Sequence, residues 1–298
     1  MSDDAEDRST TSRIDRLLAG GDPAEVRQLD GPELERLLWK YRGLKRSFER
    51  EQAFWNSTND NLKLAYERLE EKDRELAAAY STIREDLEVA AHVQKALLPR
   101  ALPAMERELE LAVHHRQLAV VGGDYYDFFR LPGGGYAIGV FDISGHGVSS
   151  ALVTSYLKAQ FMSATEQFAD PQHIVEWVNR SSLSFLREIR KYATVTFIVV
   201  EPGRLRYVCG GGYGFVLRGD EELPLSRPNQ FLGLRDRSFK EQELPFVAGD
   251  LLCLYTDGLI EGQDADSRSY RASRLRQLVL DHRDCSPARI VGAIVADY

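Results

Sequence analysis

Between Leu34 and Leu97 apolar residues return at every seventh position, in the order Leu34, Tyr41, Phe48, Trp55, Leu62, Leu69, Leu76, Ile83, Ala90 and Leu97. Four residues after each runs a mixed companion column: Leu38, Lys45, Gln52, Asn59, Tyr66, Asp73, Tyr80, Leu87 and Gln94. The stretch has no proline and only one glycine, Gly43. This spacing predicts one long helix over 31–98 with a coiled-coil seam along one side. At 1.5 Å per residue it would reach roughly 95 Å, too long to stand with an apolar stripe in water. A second copy, packed in parallel through residues 34–97, would cover the stripe, and Lys45, Asn59 and Asp73 would then set register and oligomer state. The alternative is a hairpin folded back within one chain, which would need a break near Asn56–Asp60, the softest point of the helix.

On either side the pattern changes. Residues 1–30 are polar, contain Gly20-Gly21 and Pro23, and read as a flexible arm with at most a short helix near Ile14–Leu18. Pro99 and Pro103 close the long helix, and a globular domain over 99–298 follows. Alternating and short apolar runs predict strands at 108–116, 119–129, 135–143, 193–201, 204–209, 213–218 and 249–256. Helical patterns fall at 147–166, 171–190, 270–283 and 287–297. Pro132-Gly133-Gly134-Gly135 and Pro202-Gly203 read as hairpin turns. Strands cluster apart from helices, which predicts an α+β fold with antiparallel sheets.

Composition narrows the chemistry. The 298 residues carry a formal charge of −8, which disfavours a nucleic-acid surface. No run is long and apolar enough for a membrane span, and the acidic start lacks the features of a signal peptide, so the expected location is the cytoplasm. The three cysteines suit a reducing compartment. A cysteine-phosphatase mechanism needs an arginine six positions after the nucleophile, and those positions hold Phe215, Leu259 and Val291. Cys253, in an apolar strand, reads as core. His114 and His115 are neighbours on a predicted strand and face opposite ways, so they do not share a metal. There is no P-loop.

Three aspartates remain, each where an apolar strand meets a glycine-containing turn: Asp124 in Gly122-Gly123-Asp124-Tyr125-Tyr126-Asp127, Asp142 in Phe141-Asp142-Ile143-Ser144-Gly145-His146-Gly147, and Asp257 in Tyr255-Thr256-Asp257-Gly258. One such aspartate reads as a turn cap. Three together point to a cation, because converging carboxylates repel unless a positive charge joins them.

In order and spacing these motifs resemble the SpoIIE/RsbU branch of the metal-dependent Ser/Thr protein phosphatases. The entry segment Ala90–Pro99 and the strand Ala193-Thr194-Val195-Thr196-Phe197 are similar as well, so the resemblance covers about residues 85–298. It implies an α-β-β-α sandwich of two antiparallel sheets flanked by helices, with two Mn²⁺ or Mg²⁺ ions at one end. Asp142 would bridge both ions, the Ile143 carbonyl would bind one, and Asp124 and Asp257 would bind directly or through water. His146 would shape the loop or act as a leaving-group acid. The implied activity is hydrolysis of phosphoserine or phosphothreonine on a partner, expected to be a STAS-domain anti-sigma-factor antagonist.

Two departures stand out. The family continues into a strand with an Asp-Asp-x-Thr motif, whereas this sequence stops at Ala296-Asp297-Tyr298, so a truncated sequence is expected. Gly210-Gly211-Gly212 stands where relatives tend to have Gly-His. The rivals to an enzyme are a pseudophosphatase that sequesters the same partner and a dimeric scaffold built on the helix.

Overall fold

The computed structural model describes residues 13–99, 105, 108–117, 120–262 and 270–298. Two compact units divide between Ser81 and Thr82. Residues 1–12 of the expected arm lie outside the described residues; within it a helical turn spans 13–18 and a second, α1, Pro23–Val26. Asp22 caps α1 by accepting from the Ala24 N–H at 2.9 Å.

The long helix α2, Gly31–Leu97, is continuous through Asn56–Asp60, so the chain does not fold back there as a hairpin. Gln94 is its one buried residue. The seventh-position column from Tyr41 to Ile83 is 53–65% exposed, so none of the described residues covers that part of the seam.

From Tyr125 onward the chain builds two antiparallel sheets. The strands are β1 Tyr125–Leu131, β2 Gly135–Ile143, β3 Ala193–Glu201, β4 Gly203–Gly210, β5 Tyr213–Arg218, β6 Glu221–Pro224, β7 Gln242–Phe246 and β8 Leu251–Tyr255. The five-stranded sheet runs β1-β2-β3-β4-β7 and the three-stranded sheet β6-β5-β8. The helices are α3 Val148–Gln167, α4 Pro171–Glu188, α5 Asp257–Glu261, α6 Ala272–Asp281 and α7 Pro287–Asp297. The α4 start is written locally: Asp170 accepts from the His173 N–H at 3.0 Å and Pro171 occupies the first turn.

Side-chain alternation divides the interior into three apolar layers. Phe129, Phe141, Val195 and Phe197 on one face of the larger sheet meet Leu157, Phe161, Ile174 and Val178 of α3 and α4. Ile198, Leu205 and Tyr207 on its other face meet Val216, Leu252 and Leu254 of the smaller sheet. Phe215 and Leu217 on the far face of the smaller sheet pack on Leu275, Val279 and Ile290 of α6 and α7. This is the α-β-β-α sandwich expected from the resemblance.

The strand expected at 108–116 does not form; the described residues there are irregular. The segment is held by side chains instead. Gln117 Nε2 donates to Gln94 Oε1 at 2.7 Å, and Gln94 Nε2 donates to the Gly122 carbonyl at 2.7 Å. The strand expected at 119–129 begins only at Tyr125, after the two glycines, and runs to Leu131. The short strands β6 and β7 were not expected. Both are sheet edges and contain a proline, Pro224 or Pro245, which an edge tolerates.

Candidate metal centre

Asp124 precedes β1, Asp142 is the penultimate residue of β2, and Asp257 opens α5 just after β8. The fold therefore brings two ends of the larger sheet and one end of the smaller to one place. Asp142, Thr194, Gly212, Tyr213, Tyr255, Thr256 and Asp257 line a common pocket. Asp124 enters from beside it: Thr256 hydrogen-bonds its carboxylate, and a Cβ on Gly258 would lie 3.7 Å from its Oδ2.

Backbone contacts fix these loops. The Asp142 N–H donates to Thr194 Oγ1 at 3.0 Å. The Ile143 carbonyl lies so close to Gly123 that a Cβ there would come within 2.5 Å of its oxygen. Only glycine permits that approach, which explains why the Asp124 motif carries a glycine immediately before the carboxylate. Beyond Ile143, Ser144 N–H donates to the Tyr192 carbonyl at 2.8 Å, and Lys191 Nζ donates to the Ser144 carbonyl at 2.7 Å. Gly147 then starts α3 at φ 80°, a conformation side chains disfavour. His146 is exposed in this loop.

Electrostatics show what the cluster lacks. Burial, followed by repulsion from Asp124, Asp257 and Glu261, pushes the Asp142 carboxyl up to about 7. Asp124 is also raised, chiefly by burial, against a lowering hydrogen bond from Thr256. Its Oδ1 is buried without a hydrogen-bond partner. A buried, unpartnered carboxylate oxygen facing other carboxylates is the signature of a missing positive charge. The donors are hard oxygens, which suit Mg²⁺ or Mn²⁺. Among the described residues no three acidic, histidine or cysteine side chains are already closed around one point. The carboxylates sit near enough to repel but not in a finished cage.

Sequence reasoning missed three contributors. Glu261 lies at the end of the Asp257 motif and adds repulsion at Asp142. Thr256 supplies the hydrogen bond to Asp124. His115, set aside as a ligand, places Nε2 3.2 Å from the Asp124 backbone carbonyl. Glu261 was visible as an acid one helical turn beyond Asp257, whereas His115 had no local signal.

The fold and the sequence have counterparts among known proteins. The family described as "Stage II sporulation protein E (SpoIIE)" matches residues 132–298, more than half of the chain. Phosphoserine phosphatase RsbP of Bacillus subtilis is 26% identical over 209 residues, covering 67% of this chain and 50% of RsbP. Phosphoserine phosphatase RsbU of the same organism is 24% identical over 213 residues, covering 70% of this chain and 62% of RsbU. The chain thus spans only about half to three-fifths of these relatives' length. Among solved structures, the SiaA-PP2C domain of Pseudomonas aeruginosa superposes with a TM-score of 0.64 at 25% identity, over 74% of this chain and 91% of that domain. With its sandwich, its aspartates at the sheet ends and a family match over most of the domain, this chain belongs to the SpoIIE family.

Proposed function

We propose that the chain is a metal-dependent protein phosphatase that removes phosphate from phosphoserine or phosphothreonine on a partner protein, with a STAS-domain anti-sigma-factor antagonist as the expected substrate. The observation that carries this reading is the meeting of Asp142 and Asp257 at one pocket beside the buried, unpartnered Oδ1 of Asp124, with the half-buried Asp142 carboxyl raised to about 7 by burial and by its acidic neighbours. Asp142, the Ile143 carbonyl, Asp124 and Asp257 are the residues that would hold two Mn²⁺ or Mg²⁺ ions. Bound there, such ions supply a water of lowered pKa and offset charge on the transferring phosphoryl group. The protein's own contribution is placement. Thr256 holds Asp124, Thr194 holds the Asp142 backbone, and Gly123 admits the Ile143 carbonyl. In this reading Asp124, Asp142 and Asp257 are committed to the ions, which leaves water as the attacking group.

The long helix supports a second part of the reading. Its exposed seventh-position column would pair with a second copy, making residues 34–97 the dimerisation stalk that carries state to the catalytic domain.

The test is phosphate release from a phosphoserine-bearing STAS-domain protein with Mn²⁺ and with EDTA. Turnover that needs metal and is lost in Asp142→Ala is expected. A non-catalytic binding protein is the other reading, favoured by the absence of a finished ligand cage among the described residues. It prevails if the chain binds the phosphoprotein but releases no phosphate with Mn²⁺.

A further inference from the structure

Tyr192 and Phe231 stack on one another, with ring centroids 5.4 Å apart and planes 12° from parallel. Backbone pairing fixes where they stand. Across β2 and β3, Asp142 faces Thr194 and Ile143 faces Ala193. The pairing runs one step further: the Ser144 N–H donates to the Tyr192 carbonyl at 2.8 Å, and the Tyr192 N–H donates to Ser144 Oγ at 3.0 Å. On the opposite edge of β3, Leu232 pairs with Ala193 through both backbone groups, at 3.1 and 2.8 Å. Successive residues of a strand face opposite ways. Ala193, Val195 and Leu232 belong to the layer beneath α3 and α4, so Tyr192 and Phe231 turn to the other face, the one on which Asp142 and Thr194 line the pocket. The Tyr192 position is two residues beyond Thr194, about 6–7 Å along the strand.

The place of the Phe231 ring depends on Gly211. A Cβ on Gly211 would overlap that ring, and Gly211 has φ 80°, a conformation that favours glycine. Gly210-Gly211-Gly212, where relatives tend to have Gly-His, therefore seats an aromatic ring in the space that a side chain would need. Gly212, the next residue, lines the pocket. The segment carrying Phe231 is held on both sides: Gln230 Nε2 donates to the Arg235 carbonyl at 2.7 Å, and the Gly233 N–H donates to Asn179 Oδ1 at 2.9 Å.

Tyr192 is nevertheless 40% exposed and Phe231 half-buried. A fixed, exposed aromatic pair offers contact area at little cost in conformational entropy. Its surroundings are basic, with Arg187, Arg190, Lys191, Arg235 and Arg237 against Glu188 and Asp236. Arg190, Arg235 and Arg237 are exposed and have no ion pair among the described residues. That balance suits an anionic segment. A phosphoserine whose phosphoryl group sits at the Asp142 pocket leaves the rings to the residues that flank it, which extend by about 3.3 Å each.

We infer that the Tyr192–Phe231 pair is a specificity-determining contact for the protein substrate and takes an apolar side chain about two positions from the phosphoserine. This rests on the phosphatase reading and adds to it what the partner must present beside the phosphoryl group.

The test is binding, by fluorescence anisotropy with Mn²⁺, of two labelled peptides that carry the non-hydrolysable phosphonate analogue of phosphoserine. They differ only in having leucine or serine two positions away on either side. The full chain is used as wild type, Tyr192→Ala, Tyr192→Phe and Phe231→Ala, with thermal unfolding as the fold control. Wild type should bind the leucine peptide about ten-fold more tightly than the serine peptide. The preference should fall to within about two-fold in Tyr192→Ala and Phe231→Ala and persist in Tyr192→Phe, which keeps the ring. Equal affinity of wild type for the two peptides overturns the inference, whatever the variants do. So does a preference undiminished in Tyr192→Ala, a wild type that binds neither peptide at millimolar concentration, or a leucine peptide without the phosphonate that binds equally well. Hydrolysis of para-nitrophenyl phosphate with Mn²⁺ is measured alongside. Turnover without the peptide preference removes this inference alone, whereas the preference without turnover removes the phosphatase reading and leaves the rings as a contact of a binding protein.

Discussion

Replacing Lys158 with methionine should destabilise the sandwich unit more than any exposed charge change. Lys158 on α3 reaches Asp127 on β1, Nζ to Oδ2 at 2.6 Å, with side chains only 18% and 4% exposed. Asp127 also accepts from the Tyr125 hydroxyl and from the Phe128 N–H at 2.9 Å. Burial and the neighbouring carboxylate raise the Tyr125 phenol, so it stays a donor. Methionine fills the space of the lysine stem and leaves the carboxylate charged, buried and without a counter-ion. Removing one partner of such a pair costs about 3–5 kcal/mol. For a unit of this size each kcal/mol moves the melting point by roughly 2–4 °C, so a fall of about 6–20 °C is expected. Asp127→Asn should cost less, because the freed ammonium is nearer to water. The double variant should be less destabilised than the sum of the singles, by about 1–3 kcal/mol. Differential scanning calorimetry reads all three. A melting point within 3 °C of wild type, or strict additivity in the double variant, would refute the assignment of this pair as the tie between α3 and β1.

Three further outcomes follow from the same contacts. In Gly123→Ala the new methyl would press on the Ile143 carbonyl at 2.5 Å and force it aside, so Mn²⁺ affinity by calorimetry should drop at least about ten-fold while circular dichroism stays unchanged. Arg218 donates to Asp250 at 2.6 Å and, through that hydrogen bond, holds its carboxyl below the usual range. The resulting stability is present above the ordinary carboxylate pKa and lost as pH falls through the lowered one, so Asp250→Asn should flatten the acid limb of a melting-point profile. Leu62→Asp with Leu69→Asp should halve the mass measured by light scattering, and an unchanged dimer mass would remove the stalk as the dimer contact.

How much was legible depended on whether a residue's role lay in its own neighbourhood. The long helix was readable because apolar residues recur by sevens with no proline, and β2 and β3 because their apolar runs end at turns. The segment 108–116 alternated like a strand, yet its backbone found no ladder partner, and Gln94 and Gln117 hold it with side chains. Edge strands β6 and β7 carry prolines that hide them. At the candidate centre the three aspartates announced themselves through adjoining glycines. His115 did not, because it reaches the Asp124 carbonyl, which only tertiary folding brings near.

The placement of the aspartates also ties cation binding to the architecture. Asp142 lies in the larger sheet, Asp124 immediately precedes its strand β1, and Asp257 follows β8 of the smaller sheet. Without a counter-charge their repulsion acts across the two sheets, at a pocket whose other lining residues are Val140, Thr194, Gly212, Tyr213, Tyr255 and Thr256. A divalent ion held by carboxylates from both sheets would therefore act as a strap as well as a catalyst. At a hundred times its dissociation constant it would add about 2.7 kcal/mol to the stability of the unit. The larger sheet's share of the site is tied to α3 as well: the first turn of α3 follows the Asp142 loop, and its Lys158 pairs with Asp127 on the strand after Asp124, so a loosened Lys158–Asp127 pair should weaken Mn²⁺ binding by calorimetry, and an unchanged affinity in Lys158→Met would refute that link.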